Sequence, residues 1–316
     1  MSQNHSLRSA IIALLPYFLI PALLMPEWAS GAAAGPQGPT TAEPAAAGLV
    51  PEGTDVWLLD LERDGAELRA GNPRNLTQRP GYDNQPFFTA EGDLMFVVME
   101  GEKTDIWRWD SDSEVAVRLT DTPEEGEFSP TPIPGSGGGI SYIRSRTDTS
   151  GRLWRTPPGG EAEVIFPDIG PVGYHAWFDD GHVALWLLQE PSKLQVVALA
   201  TQERKTIATN VGRSPQSVPQ RRAVSYTQLA GADPAIKAYD LDLERNEMLA
   251  RLPEGGDFHA WTPDGTLLAS AGSRVFAWRD DQWHALVDLA HLGLRLSRLA
   301  VSPDGSRLAV VAEPAG

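Results

Sequence analysis

Two histidines of this chain sit in matched surroundings: Gly173-Tyr174-His175-Ala176-Trp177 and Asp257-Phe258-His259-Ala260-Trp261. Each stands two residues before an aromatic that opens a turn. A neutral imidazole offers one hydrogen-bond donor and one acceptor, and it gains charge as pH falls through about 6.5 when nothing perturbs it. Two histidines cannot by themselves hold a zinc ion, which takes four ligands. A second set is oxygen-rich: Asn84, Glu127 and Asp257 would hold a metal if the fold brought them together. Other chemistries lack their residues. There is no Gly-x-Ser-x-Gly elbow for a serine nucleophile and no His-Glu-x-x-His or His-x-x-Glu-His. The glycine run from Gly135 to Gly139 leads into no Lys-Ser or Lys-Thr, so it is a long turn rather than a phosphate loop. Cysteine is absent, which removes thiol nucleophiles, thiolate metal sites and disulfides. Nothing in the pattern calls for a cofactor.

The remaining charged clusters have simpler accounts. Asp179-Asp180 and Asp280-Asp281 fall at hairpin tips, where carboxylates are solvated. Glu124-Glu125-Gly126-Glu127 lies in a connection between two strands. Asp264-Gly265 and Asp304-Gly305 are turn residues, short of the six to eight oxygens that calcium takes. Asn75-Leu76-Thr77 fits a glycosylation sequon but coincides with a repeated strand motif. Over the 316 residues, 42 acidic side chains against 26 basic ones give a net charge of −16. That charge excludes nucleic acid as a partner, because phosphates demand basic grooves, and it disfavours an anionic membrane surface.

Arg8 precedes the apolar run Ile11 to Met25, and small residues follow it around Ala29 and Ala32. This is the layout of a secretory signal peptide over 1–34. The run has 15 residues, interrupted by Pro16 and Pro21, against the roughly 20 that a spanning helix needs. Residues 35–52 hold mostly Ala, Gly, Pro and Thr and read as a flexible linker. No membrane span is expected once the signal peptide is cleaved.

The elements that must position the site come from a repeat. A short strand centred on Trp57, Trp107, Trp154, Val196, Tyr239 and Trp278 recurs at intervals of 50, 47, 42, 43 and 39 residues. Its alternation has period 2, not the 3.6 of a helix. A hairpin recurs with it, clearest as Trp261-Thr262-Pro263-Asp264-Gly265 and Ser302-Pro303-Asp304-Gly305, where Pro presets φ and Gly takes the position with φ > 0. Weaker copies surround Gly92, Gly181, Gly135 and Gln220. A third unit, Arg74-Asn75-Leu76-Thr77 and Arg118-Leu119-Thr120, reads as an outermost strand. Six units of four short strands predict an all-β chain: a six-bladed β-propeller of four-stranded antiparallel blades over 53–316. One blade takes two strands from each terminus, which closes the ring. The tryptophans are expected to pack between neighbouring blades.

With Asp55–Trp57, Leu76–Thr77, Asp105–Trp107, Leu119–Thr120 and the two Pro-Asp-Gly turns, residues 53–312 resemble the TolB-like propellers. The resemblance implies an exported bacterial protein that binds proteins or peptides. It also departs from that family, because 31–52 leaves no room for the N-terminal α/β domain of TolB. Similar propellers cap prolyl-peptidases, but no hydrolase domain follows here. A propeller converges the loops leading into its inner strands on one opening. The expected channel mouth carries Asn84, Gln85, Glu127, Tyr174, His175, Arg213, Asp257, His259, Arg295 and Arg298, with Tyr82, Asp83 and Ser214 in the same loops. Two functions follow. One is a monomeric, non-catalytic protein that binds a protein, peptide or small ligand at that mouth. The other is a metal-dependent hydrolase of the six-bladed lactonase type, using Asn84, Glu127 and Asp257.

Overall fold

The computed structural model describes residues 53–65, 67–146, 150–229 and 234–315. The expected signal peptide and linker lie outside the described residues. All described residues belong to one compact unit, 49–316.

The chain opens with β1 (Gly53–Asp64) and β2 (Glu67–Asn75). Blade I follows as β3 (Gly81–Phe88), β4 (Leu94–Glu100), β5 (Lys103–Trp109) and β6 (Ala116–Arg118). Blade II is β7 (Gly126–Pro132), β8 (Ile140–Ser145), β9 (Arg152–Thr156) and β10 (Glu163–Val164). Blade III is β11 (Val172–Trp177), β12 (His182–Leu187), β13 (Lys193–Ala198) and β14 (Arg204–Thr209). Blade IV is β15 (Gln216–Ser217), β16 (Ala223–Gln228), β17 (Ala235–Asp240) and β18 (Arg245–Arg251). Blade V is β19 (Gly256–Trp261), β20 (Leu267–Ala271), β21 (Arg274–Arg279) and β22 (Gln282–Asp288). After one 3₁₀ turn at Ala290–Leu292, β23 (Leu294–Val301) and β24 (Arg307–Pro314) form blade VI with β1 and β2.

Closure is two strands plus two, as the repeat order predicts. β24 pairs β1 antiparallel from Asp55↔Ala312 to Asp60↔Arg307. A short parallel bridge, Gly53↔Gly81 and Thr54↔Tyr82, then ties blade VI to blade I. The six marker residues all fall on third strands, and the Pro-Asp-Gly turns join inner to second strands.

The core is distributed over the seams between blades, because each sheet buries both faces against its neighbours. Val56 and Leu58 of blade VI meet Phe88, Phe96 and Trp109 of blade I. Met95 and Ile106 meet Tyr142 at the next seam. Ile143 and Leu153 meet Trp177 and Leu185, and Trp186 and Val196 meet Tyr226 and Tyr239. Ile236 and Ala250 meet Leu267, and Leu268 and Val275 meet Leu296 and Leu308. Trp57, Trp107, Trp154 and Trp278 pack half-buried against these clusters, as expected.

The Leu-Thr unit differs from its expectation. β2 ends at Asn75 and β6 at Arg118, so each Leu-Thr pair lies just past the outer strand. There Thr77 Oγ1 accepts the Val56 N–H at 3.1 Å and donates to Asp55 at 3.0 Å. Thr120 Oγ1 accepts the Ile106 N–H at 2.9 Å. Asn75 donates to Asp55 and accepts from the N–H groups of Thr77 and Gln78. The sequon asparagine is thus fully engaged within the fold.

Candidate functional site

Irregularity of the inner strands creates the site. A regular strand alternates its side chains between two faces, and a bulge re-aims one of them. The β3–β4 register shifts between Asn84 and Phe87, β7–β8 between Phe128 and Thr131, and β11–β12 between Val172 and Tyr174. It shifts again between Gly256 and Phe258 in β19, and between Leu296 and Leu299 in β23. Blade IV is interrupted most. Gly212 N donates to Thr227 O at 2.8 Å and pairing resumes at Gln216↔Ser225, so Arg213, Ser214 and Pro215 leave the ladder, with Arg213 exposed and the other two buried.

These bulges are stitched blade to blade around the whole ring. Thr54 Oγ1 donates to Asp83 O at 3.0 Å, and Gln85 Oε1 accepts the Ser129 N–H at 2.6 Å. Ser129 Oγ donates to Gly173 O at 3.3 Å, and Ser217 Oγ to Trp177 O at 2.6 Å. Thr227 Oγ1 donates to Asp257 O at 3.2 Å, and Ser270 Oγ to Ser297 O at 2.5 Å. A rigid rim results, with every seam cross-linked.

Arg298 spans that rim. Its Nη1 donates to Asn84 Oδ1 of adjacent blade I at 3.1 Å, and its Nη2 to Tyr174 Oη of opposite blade III at 2.7 Å. Its guanidinium lies 5.2 Å from the Tyr174 ring centroid and 4.7 Å from that of Phe258, both cation–π distances. Tyr174 is braced in turn by an edge-to-face contact with Trp186 at 5.4 Å. Tyr82 receives a hydrogen bond from Gln85 Nε2 at 3.0 Å. Burial pushes its phenol up to about 12, against the opposing influence of Arg298 and Arg213.

Asp257 is exposed at the rim, yet the protein around it raises its carboxyl by desolvation, with Arg298 and Arg213 pulling the other way. A Cβ placed on Gly212 would lie 3.7 Å from Asp257 Oδ1, so this carboxylate faces the Arg213 bulge. Five blades therefore contribute to one cluster: Tyr82, Asn84 and Gln85 from I, Tyr174 from III, Arg213 from IV, Asp257 and Phe258 from V, and Arg298 from VI.

No family model matches the sequence, and no curated protein matches it. Solved structures do. A putative TolB from Agrobacterium tumefaciens superimposes with TM-score 0.63 at 15% identity, over 82% of this chain and 98% of that one. A gluconolactonase from Xanthomonas campestris gives TM-score 0.59 at 12% identity, over 85% and 98%. TolB from Acinetobacter baumannii gives 0.54 at 10% identity over 82% of this chain, which spans 63% of that longer one.

The fold is a TolB-like propeller.

Identities this low establish architecture alone. Within the TolB-like ring, the structure gathers Asn84, Gln85, Tyr174, Arg213, Asp257 and Arg298 at the mouth and places four expected residues elsewhere. His175 and His259 are buried in the seams between blades. His175 Nε2 lies 2.7 Å from Ser141 Oγ, and His259 Nε2 lies 2.8 Å from Ser225 Oγ. Burial lowers both imidazoles to about 3, so the expected charging near pH 6.5 does not apply to the folded chain. Glu127 is 0% exposed. Its carboxylate takes hydrogen bonds from Thr122, from Thr120 at 3.3 Å and from Arg144 Nε at 3.1 Å, across the seam between blades I and II. Burial still raises its carboxyl. Arg295 is exposed and ion-paired with Glu313 on the neighbouring strand. Conversely, Phe258 enters the sequence pattern only as a neighbour of His259, yet its ring lies 4.7 Å from the Arg298 guanidinium and forms a wall of the mouth.

Among the described residues no group of three or more His, Cys, Asp and Glu side chains is arranged to hold a metal, and no helix is long and apolar enough to cross a membrane.

Proposed function

We propose that this chain is an exported, non-catalytic binding propeller that takes a protein, peptide or small ligand at the mouth formed by its bulged inner strands and the Arg213 loop. The observation that carries the reading is the Arg298 bridge. Five blades present one guanidinium on two rings, a second guanidinium, a desolvated carboxylate and a phenol on a cross-linked rim. A binding site needs its residues held in place by a rigid scaffold, and the bulged, cross-linked inner strands supply that here. The signal-peptide pattern supports export to the periplasm or beyond. N-terminal sequencing of the chain from its host checks it, with a new end expected between Ala29 and Gly35.

The hydrolase reading asks Asn84, Glu127 and Asp257 to share a metal. Glu127 is committed to Thr120, Thr122 and Arg144, and Asn84 Oδ1 already accepts from Arg298 and the Gln85 N–H. The single carboxylate left at the mouth faces two guanidiniums, which compete with a cation for it. This donor set suits a binding surface better than a metal site.

The test compares capture by wild-type protein with capture by an Asp257→Trp variant of unchanged melting temperature, using the exported fraction of the host. Partners retained by the wild type and lost by the variant support the mouth. Equal capture by both moves the site to another surface.

A further inference from the structure

We propose that the mouth recognises its ligand through a single carboxylate group, seated between Arg213 and Arg298 with the Tyr82 hydroxyl as a further donor. This rests on the binding reading above and names the chemistry of what is bound.

The hydrogen-bond inventory of the cluster leads there. Tyr82 Oη accepts from Gln85 Nε2, so its own proton remains available. Arg298 uses one N–H on Asn84 and one on Tyr174, and a guanidinium has five. Arg213, exposed on the widest bulge, has no hydrogen bond or ion pair among the described residues. Surplus donors thus converge where surplus acceptors do not.

Charge then selects the anion. Two guanidiniums and one carboxylate, Asp257, leave one positive charge at the rim of a chain whose net charge is −16. A monoanion neutralises it, and a planar carboxylate matches the guanidinium fork. A phosphate dianion would confront Asp257, which the surroundings already desolvate. Rigidity favours the same answer: Tyr174 and Phe258 hold the Arg298 head in place before any ligand arrives, which lowers the ordering cost of binding.

The carboxylate has two sources, a peptide or a small organic acid, and calorimetric titration of the full chain at low salt separates them. The probes are benzoate, the tripeptide Ala-Ala-Phe as free acid and as C-terminal amide, and inorganic phosphate. Dissociation constants of about 1 mM are expected for the acids, the scale for so small a ligand. The amide and phosphate should bind at least about tenfold more weakly. A free peptide tighter than benzoate points to a peptide terminus, and the reverse order to a small acid.

Arg213→Gln should weaken the acids about tenfold with unchanged melting, since that side chain is exposed, while Asp257→Asn should strengthen them and admit phosphate. Saturable binding by neither acid, phosphate binding as tight as theirs, or an Arg213→Gln variant within twofold of wild type overturns the proposal. Such a failure alongside capture lost in Asp257→Trp would remove the carboxylate and leave the mouth. Equal capture by that variant would remove both.

Discussion

Ser225 Oγ lies 2.8 Å from His259 Nε2 across the seam between blades IV and V, and it also accepts the Trp261 indole N–H at 2.9 Å while facing Gln216 O at 3.2 Å. The hydroxyl has one proton, which goes to the carbonyl, so the histidine carries its own proton on Nε2 and donates it. The same triangle joins His175, Ser141 and Trp177 between blades II and III, with Thr131 O as the acceptor. In both, Nδ1 is buried without a partner. Burial is the physical cause of the lowered basicity: protonation would place a charge in a site stripped of water, with no acceptor for the second N–H.

Stability should therefore fall as the solution is acidified. The folded imidazoles hold about 3 against 6.5 in the unfolded chain, so between those values the unfolded chain binds more protons. The loss approaches about 1.4 kcal/mol per pH unit per histidine below pH 6.5. Urea unfolding of wild type and of a His175→Gln/His259→Gln variant at pH 7 and pH 5 checks this. The variant should lose less stability over that interval, and parallel losses would contradict the mechanism.

Asp83 should act with the opposite sign. It is 0% exposed, one carboxylate oxygen has no partner, and burial raises it to about 6 despite Arg79 at 2.5 Å. Its folded value exceeds the unfolded 3.8, so the fold gains stability as pH falls from about 6 towards 3.8 and bears a buried charge at pH 7. Asp83→Asn, which keeps an acceptor for Arg79, should raise stability by about 1–3 kcal/mol at pH 7 and have little effect at pH 4. Chemical denaturation at the two pH values gives the comparison.

Thr77→Val tests the latch behind the Leu-Thr motif. It removes the acceptor for the buried Val56 N–H and one donor to Asp55, at an expected cost of about 1–3 kcal/mol. Thr120→Val should cost a similar amount, because Thr120 plays the same part for Ile106 and also contacts Glu127. Melting of the two single variants and the double one should show near additivity, as the sites belong to different blades.

Closure offers a fourth test. Gly53 has φ +125, and a Cβ there would come 1.9 Å from Gly81 O, at the parallel bridge that ties blade VI to blade I. Gly53→Ala should cost about 1–3 kcal/mol through this strain. Deleting 297–316 removes β24, exposes the edge of β1 and should give aggregation in size-exclusion chromatography. A monomeric truncated chain melting within a few degrees of the full one would contradict the two-plus-two closure.

The sequence by itself carried the architecture. The period-2 strands of the Trp57 and Trp107 kind and the hairpins recurring with them are local signals repeated six times, two of the hairpins with a full Pro-Asp-Gly turn, and repetition makes each weak copy legible. The site was legible only as a neighbourhood. On a bulged strand one extra residue exchanges the faces, so His175 and His259 turned into the seams while Tyr174 and Phe258, one residue earlier in each strand, reached Arg298. Glu127 lies in strand β7 rather than in the expected connection, and its facing depended on Thr120 and Thr122 from the segment after the preceding blade. Arg298 and Tyr174 are 124 residues apart on opposite blades. Their hydrogen bond exists only because the ring closes, and no local pattern in the chain encodes a contact that closure alone creates.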